Sequence, residues 1–352
     1  MDLTLVVPDG ESGGSSLPPD VLAQAGISWE KKARPSEAAG GHVLVVGRGH
    51  RVDRELFDRL WARRSEAEVI VASRYLRGGG SELSALGSLV TRLGNRALRR
   101  GLRLPCHDLA SGVRLYQRSA LQELGADEVD RASSLELLVK LYNRGFKLRE
   151  VAYHDGGGRS LAGVVASFAG SLRELPRLAR MRRSPEAADL DDTAFDSFPP
   201  WRRRRLTERM HAIVGFLEVD VPVLDVGCGT SRLIQSLARG TGLDRDLPKL
   251  RFLRGRARAI VGGALPRLPF RDGSFPQVVL CDVIATLAPS IPYLPELRRV
   301  LSPRGTLVLA AGSSGKSEGA LREELGNHGF AVDEVRRIRG RELVVRAVRR
   351  EA

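Results

Sequence analysis

Two blocks in which strand-like and helix-like patterns alternate follow one another along the chain. In the first block, short β-branched runs that begin at Leu3, His42 and Glu68 predict buried strands. Apolar residues at helical spacing predict helices over 54–63, 83–102, 134–144 and 161–181. Pro176 is expected to kink or break the last of these helices, because proline has no N–H to donate.

The second block begins with a predicted basic helix over 201–217. Strand-like runs follow over 221–226, 241–244, 277–281, 306–311 and 342–348. Helical patterns separate these runs, and such alternation is typical of a parallel sheet that helices cover on both faces. We therefore predict an α/β fold whose second domain is a Rossmann-like, doubly wound sheet.

The stretch between the two blocks, SPEAADLDDTAFDSFPP, is rich in acidic residues and proline and breaks the helical periodicity. We place a linker there, over 184–200, with one domain over 1–183 and the other over 201–352. A length of 352 residues agrees with two domains that each bury their own core.

The chain carries 56 Lys and Arg against 42 Asp and Glu, a net charge of +14. Such an excess attracts anionic lipids and phosphorylated compounds. The arginines are spread widely and few aromatic residues lie near them, so we do not expect a nucleic-acid partner. The basic amphipathic stretch over 161–183 leaves two alternatives open, contact with an anionic membrane surface or packing on its own domain.

Neither a bilayer-spanning run nor a basic leader followed by apolar residues is present, and we expect a cytoplasmic protein. Cys106, Cys228 and Cys281 lie far apart without C-x-x-C spacing, which argues against a disulfide framework or a structural zinc site. We accordingly predict no metal site.

The segment VLDVGCGTS, from Val223 to Ser231, has the strongest chemical pattern in the chain. A buried strand carrying Asp225 runs into a glycine-rich turn that opens a helix. Such a turn brings backbone N–H groups close to a ligand. Asp244 ends the next strand, where its carboxylate can accept hydrogen bonds from both hydroxyls of a ribose.

The same turn distinguishes between nucleotide cofactors. A dinucleotide site needs G-x-G-x-x-G, but Arg232 stands where the third glycine belongs, so NAD is disfavoured. Asp225 would repel a pyrophosphate and attract a cationic amino-acid group. S-adenosylmethionine (SAM) presents such a group.

This turn resembles motif I of the class I SAM-dependent methyltransferases. LPFRDGSFPQVVLCDVI and ELRRVLSPRGTLVLA are similar to two later segments of that family, and the resemblance covers about residues 195–349. It implies SAM as cofactor and a set of cofactor-binding residues: Asp225, Gly227, Cys228, Gly229, Asp244, Gly263, Ala264 and Leu265. Asp282 would line the pocket in which methyl transfer occurs, although a structural role for it is an equal alternative.

In the first block, EVIVASRYLRGGG and CHDLASGVRLYQRSAL resemble family 2 glycosyltransferases of the dolichyl-phosphate mannosyltransferase type, with Glu136 at the place of a family acid. The resemblance covers about residues 3–181 and implies a truncated GT-A-like α/β domain. That family holds its metal with a D-x-D, but Gly47 and Gly49 occupy both aspartate positions. We interpret the domain as degenerate, with Asp108 and Arg114 forming an ion pair or contacting an acceptor.

These observations lead to three hypotheses. In the first, the protein is a SAM-dependent methyltransferase whose acceptor is a small molecule, a sugar or a lipid-linked glycan, with peripheral contact to an anionic membrane. In the second, it is a bifunctional glycosyltransferase and methyltransferase in cell-surface glycan synthesis, with Arg48 and Arg51 replacing the metal. In the third, it is a non-catalytic scaffold of two pseudoenzyme domains.

Overall fold

The computed structural model of the chain describes residues 1–7, 22, 26–47, 49–156, 160–284, 287, 291–310, 316–340 and 342–351. Arg48, which the bifunctional hypothesis invokes, lies outside them. The chain divides into two compact units, Met1–Ala187 and Ala188–Ala352. Within the described part, we find no helix with the length and hydropathy that a bilayer span requires.

The first unit is built on a mixed sheet. Its strands are β1 (Leu3–Val6), β2 (Trp29–Lys32), β3 (His42–Val46), β4 (Val69–Ser73), β6 (Val113–Gln117) and β7 (Leu148–Ala152), and a separate pair joins β5 (Gly80–Ser81) to β8 (His154–Asp155). The order in the main sheet is β2-β1-β3-β6-β4-β7, with β6 antiparallel to both of its neighbours.

Helices pack against this sheet and against one another. They are α1 (Arg54–Ala62), α2 (Ala85–Leu102), α3 (Arg118–Leu124), α4 (Ala126–Arg131), α5 (Ser134–Asn143) and α6 (Leu161–Met181), with a short 3-10 turn over Pro35–Glu37. Asp53, Ser84, Ser133 and Ser160 cap four of these helices through their side-chain oxygens.

The expected break at Pro176 does not occur, because α6 runs without interruption from Leu161 to Met181. Pro176 lies on the exposed side of the helix, as does Leu172 one turn earlier. Water can therefore satisfy the carbonyl group that loses its intrahelical donor, and the helix continues past the proline.

The second unit is a seven-stranded sheet in the order β11-β10-β9-β12-β13-β15-β14. Its strands are β9 (Val223–Val226), β10 (Gly240–Asp244), β11 (Ala259–Gly262), β12 (Phe275–Cys281), β13 (Leu301–Ala310), β14 (Phe330–Ile338) and β15 (Glu342–Arg349). The pairs from β11 to β13 are parallel, and β15 is antiparallel to both β13 and β14.

The helices of the second unit are α7 (Leu190–Ser197), α8 (Pro200–Val214), α9 (Arg232–Ser236), α10 (Leu247–Leu253), α11 (Tyr293–Val300) and α12 (Glu318–Asn327). Buried apolar side chains of two clusters lie on the sheet, including Leu224, Leu280 and Leu309 in one and Val279, Val308 and Val344 in the other. β9 lies between β10 and β12 in the sheet. The carboxyl ends of these three parallel strands form one edge, where open α/β sheets bind ligands.

Candidate functional site

The turn after β9 is tied to the neighbouring strand through its backbone. Gly227 and Gly229 adopt left-handed φ angles of 71° and 52°, which glycine reaches without strain. The N–H groups of Gly227 and Cys228 both donate to the carbonyl oxygen of Leu243, at 2.7 and 3.0 Å. The turn is therefore fixed in place beside the end of β10.

Asp244, the last residue of β10, supports this turn with both of its carboxylate oxygens. Oδ2 accepts from the N–H of Gly229 at 2.8 Å, and Oδ1 accepts from the N–H of Asp246 at 2.9 Å. A carboxylate has about four acceptor positions, so each oxygen retains one for a ligand. Asp244 also lines the cleft described below.

Asp225 lies inside β9, paired in register with Gly242 on one side and Val279 on the other. Its side chain is buried, and Oδ2 has no hydrogen-bond partner among the described residues. Burial, with the nearby charge of Asp244, raises the pKa of Asp225 to about 7. A buried carboxylate with an unpartnered oxygen is suited to receive a cationic group.

A cleft of about 980 Å³ joins these carboxylates. Its walls come from α7, α8 and the turns that follow β9, β10, β11 and β12. This volume lies at the upper end of the range for small-molecule sites. The cleft thus has space for a nucleoside cofactor and part of a second molecule.

Helix α7 contributes three carboxylates to the same region. Asp191 Oδ2 accepts from the N–H of Thr230 at 3.1 Å and from Lys249 Nζ at 3.0 Å. Arg232 pairs with Asp192 and Asp196 and stacks on Phe195. The segment over 184–200, which we expected to be an irregular linker, therefore contains a helix of the second unit, held by ion pairs that the local sequence does not reveal.

The glycine turn leaves no space for side chains. A Cβ on Gly229 would lie 2.5 Å from Asp191 Oδ2, and a Cβ on Gly227 would lie 2.4 Å from Val283 Cγ2. Both glycines are thus required by close approach as well as by their φ angles. Arg232, which takes the place of a third glycine, is accommodated because the acids of α7 pair with it.

The turn after β11 forms another part of the cleft wall. The N–H of Gly263 donates to the carbonyl oxygen of Asp244 at 3.0 Å, which fixes this turn beside β10. Gly263, Ala264 and Leu265 all line the cleft. The structure therefore brings the predicted adenine-side residues within the same cavity as Asp225 and Asp244.

Asp282 follows β12 with a φ of 58° and also lines the cleft. Its carboxylate forms a two-point ion pair with Arg209 of α8, at 2.9 and 2.7 Å. Arg209 lies 3.9 Å from Glu342 as well. Asp282 therefore lines the cleft and also forms an ion pair. The sequence left pocket lining and a structural role open as alternatives, and this residue combines both positions.

The thiol of Cys228 is buried, and a Cβ on Gly242 would lie 2.9 Å from its Sγ. Burial is the main reason that the pKa of the Cys228 thiol is raised, and the charges of Asp225 and Asp244 raise it further. Its thiol therefore stays protonated and packs against β10, and only the backbone of this residue is suited to contact a cofactor.

Comparisons with known proteins agree with this geometry. Residues 224–309 match the family described as methyltransferase domain. Demethylmenaquinone methyltransferase of Beutenbergia cavernae is 36% identical over 95 residues, which are 25% of this chain and 39% of that protein. The DNA mismatch repair protein MutS of Synechococcus sp. (strain RCC307) is 31% identical over 218 residues, 62% of this chain and 21% of that protein.

The second unit thus contains a region that matches the methyltransferase domain family. The chain spans well under half the length of each of these two curated relatives. A solved SAM-dependent methyltransferase of Thermotoga maritima, described as a possible histamine N-methyltransferase, is also similar: it is 18% identical, with 43% of this chain and 94% of that chain covered and a TM-score of 0.36.

The second unit includes one site residue that sequence reasoning missed. Asp191 reaches the glycine turn from α7, but its segment has the composition of a linker and no periodicity. The signal that could have found it is the group of three acids, Asp191, Asp192 and Asp196, about five to ten residues before the predicted basic helix. Such acids can form ion pairs with basic residues of other elements, and here they pair with Lys249 and Arg232.

In the first unit, the two segments behind the glycosyltransferase resemblance meet. Arg74 pairs with Asp108 through Nε and Nη2, both at 2.7 Å, and both residues are buried. Arg114 instead donates to the carbonyl oxygens of Leu109 and Ser134. Of the two alternatives for these residues, the ion pair between Asp108 and Arg114 is therefore wrong, because Asp108 is paired with Arg74.

The backbone is tightly packed at Gly47, which occupies one of the two aspartate positions of the D-x-D. The N–H of Gly47 donates to the carbonyl oxygen of Gly112 at 2.8 Å, and a Cβ on Gly47 would lie 3.2 Å from the Gly112 Cα. Glu136 pairs with Arg177 and Lys140, and the hydrogen bonds from Arg177 are the main reason that its pKa is lowered to about 2. No group of three potential metal-ligating side chains occurs among the described residues.

Replacing Gly227 by alanine should lower the free energy of unfolding by about 3 kcal/mol, since both the left-handed φ and the contact with Val283 oppose a Cβ. Gly273→Ala is the matched control: its φ is 64°, but the nearest atom would lie 3.8 Å away. That control should cost only about 1 kcal/mol. Urea denaturation of both variants checks the difference, and equal losses would contradict the close packing at the turn.

Proposed function

We propose that this protein transfers the methyl group of SAM to a small-molecule, glycan or glycolipid acceptor. The observation that carries the proposal is the pair of acids, Asp225 and Asp244, at the carboxyl ends of adjacent strands in one cleft. The unpartnered Oδ2 of Asp225 fits the α-ammonium group of SAM, and the free acceptor positions of Asp244 fit the ribose hydroxyls. The turn over 263–265 then lies along the adenine.

When bound, SAM supplies a methyl group activated by its positively charged sulfur. The chain's own residues have to hold the cofactor and exclude water while the acceptor approaches, because methyl transfer depends mainly on proximity and alignment. Arg209 holds the Asp282 carboxylate at the wall of the cleft. We propose that this pair borders the acceptor side of the site.

Incubation of the purified protein with methyl-labelled SAM and a glycolipid extract tests the activity. Label in an acceptor fraction, lost in Asp225→Asn, is the expected result. A protein that binds S-adenosylhomocysteine but labels no fraction of glycolipids, free glycans or small molecules would refute the transfer reaction while leaving the cofactor site intact.

For the first unit, we propose a family 2 glycosyltransferase scaffold without catalytic metal ligands. In support, Arg74 and Asp108, which belong to the two resembling segments, form a buried two-point ion pair. The close approach of Gly47 to Gly112 leaves little space for an aspartate at position 47. This unit would then serve in acceptor docking or as a structural partner of the methyltransferase domain.

We further propose that the first unit contacts an anionic membrane surface through α2 and α6. Six large apolar side chains are exposed on these helices: Leu86, Leu89, Leu93, Leu161, Val165 and Leu172. The helices pack against each other, and α2 contains four arginines and no acidic residue. Exposed apolar residues among cations are typical of peripheral membrane contacts.

The double variant Leu89→Glu/Leu93→Glu should lower binding to phosphatidylglycerol vesicles at least tenfold, as two apolar contacts are lost and two negative charges are added. The control, Val214→Glu/Val219→Glu, also replaces two exposed apolar residues by glutamate, but in the second unit. Sedimentation with vesicles measures both. If the two variants sediment with the vesicles to the same extent, the exposed leucines of α2 are not the contact surface.

A further inference from the structure

A second cavity, of about 510 Å³, lies along the flank of α2 in the first unit. Four arginines of this helix line it: Arg92, Arg96, Arg99 and Arg100. Their spacing of four, three and one residues places them along one side of the helix. We call this space the arginine cavity.

None of these four arginines forms an ion pair or a side-chain hydrogen bond within the described residues. The arginines of α1 differ, since Arg54 pairs with Asp58 and Arg59 with Glu55. Like charges at i, i+4 spacing destabilise a helix by a few tenths of a kcal/mol per pair. The unpaired cations of α2 thus reduce helix stability, and an anionic ligand would offset that loss.

The arginine cavity is also lined by neutral polar groups in fixed positions. The Tyr75 hydroxyl accepts from Asn95 Nδ2 at 3.2 Å, which leaves its own O–H free to donate. Asn95 is itself buried, and its Oδ1 accepts from the N–H of Ala110 at 3.1 Å. Both side chains therefore keep their orientation without a ligand.

His107 is held in the same way. Its Nδ1 lies 2.8 Å from Glu150 Oε2, so Nε2 is the ring nitrogen that remains for a ligand. The other oxygen of Glu150 accepts from the backbone N–H groups of His107 and Asp108. Both oxygens of Glu150 are thus engaged, and none of the described residues that line the cavity is acidic.

We propose that the arginine cavity binds a phosphate monoester or diphosphate group. Guanidinium groups match phosphate oxygens through two parallel N–H donors, which is the reason that arginine is favoured for this recognition. The Tyr75 hydroxyl adds a neutral donor beside the cations. The phosphate can belong to a soluble compound or to the headgroup of a lipid, and the chemistry of recognition is the same for both.

The test uses the full chain and two probes. Inorganic pyrophosphate represents the soluble source, and dioctanoyl phosphatidic acid below its micellar concentration represents the lipid source. Wild-type protein is compared by calorimetry with Arg96→Gln/Arg99→Gln. The control is Arg54→Gln/Arg59→Gln, which removes the same two charges from α1, and circular dichroism confirms that all three proteins are folded.

We expect the Arg96→Gln/Arg99→Gln variant to bind at least one probe tenfold or more weakly than both wild type and control, with the wild-type affinity falling as salt rises. Weaker binding of pyrophosphate identifies a soluble ligand, and weaker binding of phosphatidic acid alone identifies a lipid. The proposal is overturned if wild type binds neither probe at millimolar concentration, or if the two variants bind equally. Because the variants leave the second unit unchanged, failure here does not bear on methyl transfer.

Discussion

Asp225→Asn should become more stable relative to wild type as the pH rises from 4 to 8, while its affinity for S-adenosylhomocysteine falls at least tenfold. In wild type, burial raises the pKa of Asp225 to about 7 from its ordinary value of 3.8. The stability contribution of the protonated acid is fully present below pH 3.8 and is lost as the pH rises through 7. Asparagine does not ionise and avoids this loss, which amounts to about 2 to 4 kcal/mol.

The affinity of this variant falls because a buried charged hydrogen bond to the cofactor's ammonium group is worth about 1.5 to 3 kcal/mol. Thermal unfolding at pH 4, 6 and 8 and calorimetry at pH 8 provide the two measurements. Asp333→Asn, at an exposed carboxylate that pairs with Arg346 outside the cleft, is the control. A variant whose relative stability does not change with pH would show that Asp225 is not a desolvated carboxylate.

Asp244→Ala should bind S-adenosylhomocysteine at least a hundredfold more weakly than wild type. Two hydrogen bonds from the ribose to a charged group contribute together about 3 kcal/mol or more. The same carboxylate also holds the N–H groups of Gly229 and Asp246, so the variant loses the fixed geometry of the glycine turn. Its free energy of unfolding should fall by about 1 to 3 kcal/mol.

Asp246→Ala is the matched control for this substitution. Its side chain caps α10 by accepting from the N–H of Lys249, so its removal should cost about 1 kcal/mol of stability. Affinity should remain within about threefold of wild type, since we assign it no contact with the ribose. Calorimetric titration of wild type, Asp244→Ala and Asp246→Ala with S-adenosylhomocysteine measures the three affinities. If Asp244→Ala binds as tightly as Asp246→Ala, Asp244 does not contact the cofactor.

Much of the second unit could be predicted from the sequence because its central strands are short, apolar and buried on both faces. The run over 223–226 ends in a glycine turn, and that local chemistry predicts the position of Asp225 and Asp244. Two outer strands escaped prediction: Ala259–Gly262 at one edge and Phe330–Ile338 at the other. Both are partly exposed, the first is only four residues long, and charged residues interrupt the apolar positions of the second.

In the first unit, β2 at the edge of the sheet reads Trp29–Lys32, mostly charged, and was not predicted. β6 was missed because Arg114 interrupts its apolar run, although this arginine is buried and bonded to backbone carbonyls. Asp191 was not predicted, since its role depends on Lys249, which is distant in the sequence. Local patterns reveal buried strands and tight turns, whereas ion pairs between distant elements need the fold.

If Asp225, Asp244 and the glycine turn form one cofactor site, the wild-type chain binds S-adenosylhomocysteine without any substitution or acceptor, and a calorimetric titration measures this binding. We expect saturable binding to a single site with an affinity in the micromolar range. Absence of saturable binding at millimolar S-adenosylhomocysteine would contradict it.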